Sequence, residues 1–117
     1  MTNYIWITCE REGLHRWNDA PVEVSYLKHR HHHIFKFKIA IEVFHNDREV
    51  EFHMFKHYIY DNFIKKWPNN LRSASCEMIA NRIHEHAMEK HPNRNMIIEV
   101  SEDGNNGVIM EYPNQQV

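Results

Sequence analysis

The alternation of apolar and charged residues after position 29 constrains the fold of this chain more than any other feature. Positions of one parity carry Phe35, Phe37, Ile39, Ile41 and Val43, whereas those of the other parity include Lys36, Lys38 and Glu42. Successive side chains of a β-strand point to opposite faces of its sheet. The pattern therefore predicts a long strand that starts at His29 and has one buried face.

Other stretches predict the remaining strands and loops. Four of them have the alternation or the β-forming residues typical of strands: 3–11, 50–52, 95–102 and 107–112. Residues 13–28 contain the turn-like sequence NDAP and predict a loop. HNDRE at 45–49 predicts a hairpin turn, which makes 50–52 a short return strand.

Two stretches in the middle of the chain change to a helical period. Apolar residues recur every three or four positions from 52 to near 67 and again from 76 to 87. Ser73 or Ser75 is suited to cap the second of these helices. The order ββααββ predicts an α+β fold, in which two helices cover one face of an antiparallel sheet.

Length and composition limit the classes of protein to which the chain can belong. With 117 residues, of which 42% are hydrophobic and 26% charged, we expect one domain spanning residues 1–117. The formal net charge of −2, with basic residues scattered among acidic ones, argues against a nucleic-acid partner. The absence of a signal-like N-terminus and of about 18 consecutive apolar residues argues against a membrane partner. Cys9 and Cys76 lie in no CxxC motif, so we expect free thiols and a cytoplasmic protein.

A cluster of histidines occupies the start of the long predicted strand. His29, His31 and His33 share the parity of Phe35, whereas His32 points to the other face. Histidines at i and i+2 lie about 6–7 Å apart at Cα, which lets both reach one Zn²⁺ ion. Short histidine tracts also form solvated strand ends, and purification tags are histidine-rich, although tags lie at termini. The pattern alone leaves a metal site and a solvated histidine tract open.

An acidic residue continues the apolar parity of the strand predicted at 95–102. Met96, Ile98 and Val100 share a parity, and Glu102 follows it at the strand end. Burying a carboxylate is costly unless it is paired or accepts hydrogen bonds. Glu102 therefore either reaches solvent or accepts two N–H donors from a bound heterocycle.

In order and spacing, these motifs resemble those of the 6-pyruvoyltetrahydropterin synthase and 6-carboxytetrahydropterin synthase family, whose architecture is the T-fold. GLHRWNDAP is similar to the family's first zinc-histidine motif, and HHHIF is similar to its His-Gly-His motif. REVEF resembles the step into its first helix, and SASCEMIA resembles the start of its second helix. VSEDG is similar to the strand end that carries the pterin-binding glutamate. The resemblance covers about residues 7–112 and implies a T-fold.

The resemblance also implies site residues and a function. Zn²⁺ would be the cofactor, and its ligands would be His15, His31 and His33. The pterin or purine-like ligand would contact Glu102, Ser75 and Cys76. The implied reaction is that of a carbon–oxygen lyase on dihydroneopterin triphosphate or a related pterin, as in pterin or queuosine-precursor synthesis. The family's sheets join side by side into rings, so the resemblance implies a homo-oligomer with sites at subunit interfaces.

Two departures from the family pattern concern catalysis. The family has a proton-abstracting cysteine shortly before its His-Gly-His motif, but VSYLK contains no cysteine. The family's Asp-His pair would fall near KKWPNN, which contains neither residue. General acid–base groups typically contribute about 10²–10⁴ in rate each. Candidate replacements are Tyr26, Cys76, His53 and His57, and the catalytic residues stay unassigned. The alternative function is a catalytically degenerate T-fold protein that binds or sequesters a pterin, purine or nucleotide.

Overall fold

The computed structural model describes residues 1–114, which form a four-stranded sheet and two α-helices. The strands are β1 (Asn3–His15), β2 (His31–Val43), β3 (Met96–Glu102) and β4 (Asn106–Tyr112), and the helices are α1 (Phe52–Asn62) and α2 (Cys76–Lys90). Short 3₁₀ helices span Val22–Lys28 and Ile64–Lys66. The sheet is antiparallel with the order β1-β2-β3-β4. The predicted α+β fold with the element order ββααββ is confirmed.

One face of the sheet and the two helices enclose the hydrophobic core. Ile39 of β2 lies between its cross-strand neighbours Ile7 of β1 and Ile98 of β3, and all three side chains are buried. The helices add further buried residues to the same cluster: Phe55, Ile59, Ile79, Ala80, Ile83 and Ala87. The apolar parity of β2 therefore faces the core, as the alternation predicts.

The predicted return strand at 50–52 is wrong. Glu51 instead caps the N-terminus of α1, and its carboxylate accepts hydrogen bonds from the backbone N–H groups of His53 and Met54, each at 3.0 Å. Val50 is buried just before this cap, and Phe52 is the first residue of the helix. Because the cap satisfies N–H groups that a helix leaves unpaired, these residues start α1 and form no strand.

Three other boundaries differ from the prediction by two residues or more. β1 continues through residues 13–15, predicted as loop, because it stays paired with β2 up to His15 and His31. β2 begins at His31 and not at His29. α1 ends at Asn62, and the 3₁₀ helix follows in the stretch predicted to be helical to near 67. The extension of β1 matters most, since it places His15 in the sheet.

The two cysteines are free thiols, as the sequence predicts. Cys9 is half-buried in β1, and Cys76 is buried in the first turn of α2. Among residues 1–114, no helix combines the length and the apolar character needed to cross a membrane.

Candidate metal centre

Three histidines meet at one end of the sheet, on the face that carries the core. His15 ends β1 and pairs directly with His31, which starts β2. His33 lies two residues further along β2, between His31 and the buried Phe35. The ring centroids of His15 and His31 are 4.5 Å apart, and those of His31 and His33 are 4.9 Å apart. The structure thus brings together all three residues predicted as metal ligands.

Backbone carbonyls orient two of these histidines. Nδ1 of His15 lies 2.9 Å from the carbonyl oxygen of Ala74, and Nδ1 of His31 lies 2.9 Å from that of His29. A carbonyl oxygen only accepts hydrogen bonds, so each Nδ1 must carry the ring hydrogen. In a neutral ring the lone pair is then on Nε2, which is the atom that would bind a metal. His29 was predicted to project beside His31 and His33. It instead lies before β2, and its carbonyl oxygen contacts the cluster through His31.

A carboxylate orients the third histidine. Nδ1 of His33 lies 2.7 Å from Oδ2 of Asp103, whose Oδ1 accepts a hydrogen bond from the backbone N–H of Ile34 at 2.8 Å. The Ile34 N–H, followed by the His33 ring, lowers the pKa of the Asp103 carboxyl below its ordinary value. Asp103 is therefore ionised at neutral pH and accepts the hydrogen of Nδ1, which leaves the lone pair of His33 on Nε2. Sequence reasoning missed this residue because DGNNG predicts only a turn.

Glu102 completes the cluster. It ends β3 opposite Phe35, and its Oε2 lies 2.8 Å from Nε2 of His15 and 3.4 Å from Nε2 of His33. One ligand atom from each of the three histidines and Glu102 lies within 4.8 Å of the others. The second carboxylate oxygen, Oε1, accepts a hydrogen bond from Asn106 at 3.1 Å. Glu102 lies on the core face of β3, as the alternation predicts, and its side chain faces the histidines.

The charges at the centre of this cluster call for a cation. Nε2 of His15 is buried and has no hydrogen-bond partner among residues 1–114, although an oxygen of Glu102 lies 2.8 Å away. A lone pair on Nε2 would repel the carboxylate, so a positive charge between the two atoms is favourable. Either a proton on Nε2, which makes the contact an ion pair with Glu102, or a metal ion bound by both atoms supplies it. Imidazole nitrogens with a carboxylate oxygen suit Zn²⁺ and other divalent transition metals, so the residues present could hold such an ion.

A cavity of about 420 Å³ opens beside the histidines. It is within the range of about 300–1,000 Å³ typical of small-molecule sites. Its lining includes two of the histidines and all three residues predicted to bind the ligand: His15, His31, Glu102, Ser75 and Cys76. Trp17 and Leu27 also line it, and they come from the region predicted as loop. Only the folded arrangement shows that these apolar side chains belong to the cavity.

Ser75 has a structural role as well as a place at the cavity. It is the N-cap of α2, and its hydroxyl oxygen accepts a hydrogen bond from the backbone N–H of Met78 at 3.1 Å. Ser73, the other candidate cap, instead accepts a hydrogen bond from the side chain of Asn18 at 3.0 Å. One of the two predicted caps is therefore confirmed.

Cys76 is the only candidate replacement for the missing proton-transfer groups that lines the cavity. Burial, followed by the negative charges of Glu102 and Glu77, raises the pKa of its thiol to about 11. Tyr26 lies exposed in the first 3₁₀ helix. The other two candidates, His53 and His57, lie exposed on α1. His57 pairs there with Asp61.

The chain matches no protein-family model, and no curated protein matches it. The function of the cluster has to be argued from its geometry and from the resemblance of its motifs.

Proposed function

We propose that the chain is a zinc-binding T-fold protein of the 6-pyruvoyl- and 6-carboxytetrahydropterin synthase type. It would act as a carbon–oxygen lyase on dihydroneopterin triphosphate or a related pterin. The observation that supports this most is the common orientation of His15, His31 and His33, whose Nδ1 atoms all face acceptors. Nε2 of each ring is then the atom available to a metal, and Oε2 of Glu102 lies beside two of these nitrogens. Sets of three protein ligands are typical of catalytic zinc sites, which keep a position open.

The proposed chemistry divides between the metal and the chain. Bound Zn²⁺ would supply Lewis acidity at the inner end of the cavity. The acceptors on the Nδ1 atoms would hold the imidazoles in one tautomer and orientation. The apolar side chains of Trp17 and Leu27 would exclude water from one side of a bound ring.

Glu102 has two possible roles in this site. Its carboxylate could accept the amino and ring N–H groups of a pterin as a bidentate pair. Because Oε2 lies near both His15 and His33, this role requires the side chain to turn towards the cavity. If it does not turn, Glu102 is positioned as a fourth metal ligand. Replacement by glutamine separates the roles, since zinc affinity falls only in the second case.

One observation favours the alternative function. The thiol of Cys76, with a pKa of about 11, is protonated at neutral pH, and the other candidate bases lie outside the cavity lining. A thiol in this state is a poor proton acceptor. A catalytically degenerate protein that binds or sequesters a pterin, purine or nucleotide would need the cavity but no such base.

Zinc content and turnover, measured on the same preparation, test the proposal. Native mass spectrometry should find one zinc per chain, and His31→Ala should lose it. His32→Ala is the matched control, because this neighbour points to the other face and lies 3.5 Å from Glu12. A parent protein that binds no zinc from a zinc-replete buffer would overturn the metal assignment.

The second measurement is triphosphate release from dihydroneopterin triphosphate. Release by the parent and the His32→Ala variant, but not by His31→Ala, would support a lyase. Saturable binding of the pterin without release would reject the lyase and favour the binding protein.

A further inference from the structure

Three arginines without a side-chain partner lie in one cleft beside the cluster of histidines and Glu102. Arg16, Arg30 and Arg72 make no side-chain hydrogen bond, ion pair or ring contact within residues 1–114. Each of the remaining arginines does contact a partner: Arg11, Arg48, Arg82 and Arg94. The chain has a net charge of −2, so this concentration of unneutralised positive charge is local.

The arginine cleft is lined by side chains that can form hydrogen bonds, and none of them is acidic. Its volume is about 560 Å³, and it is lined by Arg16, Arg30, Arg72, Asn18, Asn70 and Ser73. A guanidinium group presents a planar fork of donors that matches the oxygens of phosphate. Charge-assisted hydrogen bonds of this kind are about twice as strong as neutral ones. The cleft therefore has the chemistry of an anion site.

The fold places the arginine cleft next to the cavity. Arg16 follows His15, and Arg30 precedes His31, so the direct pairing of these histidines brings both arginines to the same end of the sheet. The backbone N–H of Arg16 donates to the carbonyl of Arg72 at 2.8 Å, which adds the third arginine. Arg16 and Ser73 line both the cavity and the cleft. The cavity and the cleft are therefore adjacent.

We propose that the arginine cleft binds the phosphate or pyrophosphate tail of a ligand whose ring system occupies the cavity. The placement of a ring in the cavity rests on the proposed function, whereas the affinity of the cleft for a phosphate anion does not. The sequence conceals this site, because its three arginines are separated by 14 and 42 positions and come together only in the fold.

Calorimetric titration of the zinc-loaded, full-length protein with inorganic pyrophosphate tests the affinity of the cleft. We expect the double variant Arg30→Gln/Arg72→Gln to bind at least about tenfold more weakly than the parent, because two charge-assisted contacts are lost. The matched control, Lys65→Gln/Lys66→Gln, removes two exposed charges elsewhere and should stay within about twofold. Zinc content is measured before and after each titration, since pyrophosphate chelates zinc. Circular dichroism checks that both variants are folded.

Two results would overturn the anion site. One is equal weakening in both double variants, which would mean that only net charge matters. The other is no saturable pyrophosphate binding to the parent at about 0.1 M salt. Pyrophosphate binding should survive in His31→Ala, so failure of the zinc site and failure of the arginine cleft are distinguishable.

A comparison of inorganic tripolyphosphate with a purine nucleoside triphosphate tests whether the cleft binds the tail of a larger ligand. We expect the nucleotide to bind more tightly than tripolyphosphate, and both affinities to fall in the Arg30→Gln/Arg72→Gln variant. Equal affinities for the two probes would show that the cleft binds a free anion and that its link to the cavity is wrong.

Discussion

At the scale of single residues, the orientation of His33 depends on the ionised carboxylate of Asp103. We expect Asp103→Asn to lower zinc affinity by about 10–100-fold, the usual effect of losing such an outer partner. The asparagine oxygen can still accept the Ile34 N–H, but its amide would then donate to Nδ1 of His33. That contact moves the ring hydrogen to Nε2 and removes the lone pair needed by the metal. Competition with a chromophoric chelator measures the affinity.

The control for this variant is Asp47→Asn. Asp47 is exposed and pairs with Arg48, away from the histidines. Unchanged zinc affinity in Asp103→Asn would mean that Asp103 does not determine the tautomer of His33.

The parity of a strand is enough to predict part of the cluster. It places His31, His33 and Glu102 on the core face without any knowledge of the other elements. It does not predict the acceptor for His15, because the Ala74 carbonyl lies 59 positions away in the chain. Contacts of that kind depend on how the segment before α2 packs against β1, for which local periodicity carries no signal.

At the scale of elements, helix α2 and strand β4 meet through a stacked pair of rings. The His84 and Tyr112 rings lie 4.0 Å apart at their centroids, with an interplanar angle of 11°. Burial lowers the pKa of His84 below its ordinary value, and the charge of Glu85 opposes this shift only in part. The unfolded chain therefore binds more protons at this position than the folded chain as the pH falls below about 6.5.

We expect His84→Phe to change the pH dependence of stability. In the parent, the contribution of His84 to the free energy of unfolding falls as the pH drops from about 6.5 through the lowered pKa. Phenylalanine keeps a ring against Tyr112 but has no proton to bind. The variant should therefore gain stability relative to the parent between about pH 7 and 5, by less than about 1 kcal/mol.

Urea unfolding of the parent and His84→Phe across this pH range checks the expectation. Because the other histidines are common to both chains, their titration cancels in the difference. A difference that stays constant with pH would show that His84 does not couple protonation to folding.

The element boundaries show where local patterns are insufficient. The N-cap of α1 is Glu51, whereas Ser, Thr, Asp and Asn are the preferred caps, so the sequence carries no typical start signal there. Without that signal, the apolar residues on either side of Glu51 favour a short strand. The extension of β1 to His15 is likewise set by pairing with β2 and not by its own composition.

At the scale of the whole molecule, the helices leave the second face of the sheet uncovered. Trp6 and Ile109 are 56% and 68% exposed on this face, and the Lys38 ammonium group lies 4.7 Å from the centroid of the Trp6 ring. The homo-oligomer implied by the resemblance would cover some of this surface or the outer strand edges. The oligomeric state stays a prediction.

The candidate metal-binding cluster also connects distant parts of the molecule. Its candidate ligands end β1, start β2 and end β3, and the acceptor for His15 comes from the segment before α2. An ion bound there holds together segments that separate on unfolding, so it should bind the folded chain in preference to the unfolded one. Ligand binding of this kind stabilises the fold by mass action.

We therefore expect zinc to raise the melting temperature. At a free concentration of about 100 times its dissociation constant, zinc should add about 2.7 kcal/mol to the free energy of unfolding. For a chain of this size, that corresponds to an increase in Tm on the order of 10 °C. Differential scanning calorimetry with buffered zinc, compared with the same protein in EDTA, measures the shift. His31→Ala should abolish the increase and His32→Ala should keep it, because only the first side chain belongs to the cluster. An equal increase in both variants would place the stabilising zinc elsewhere on the molecule.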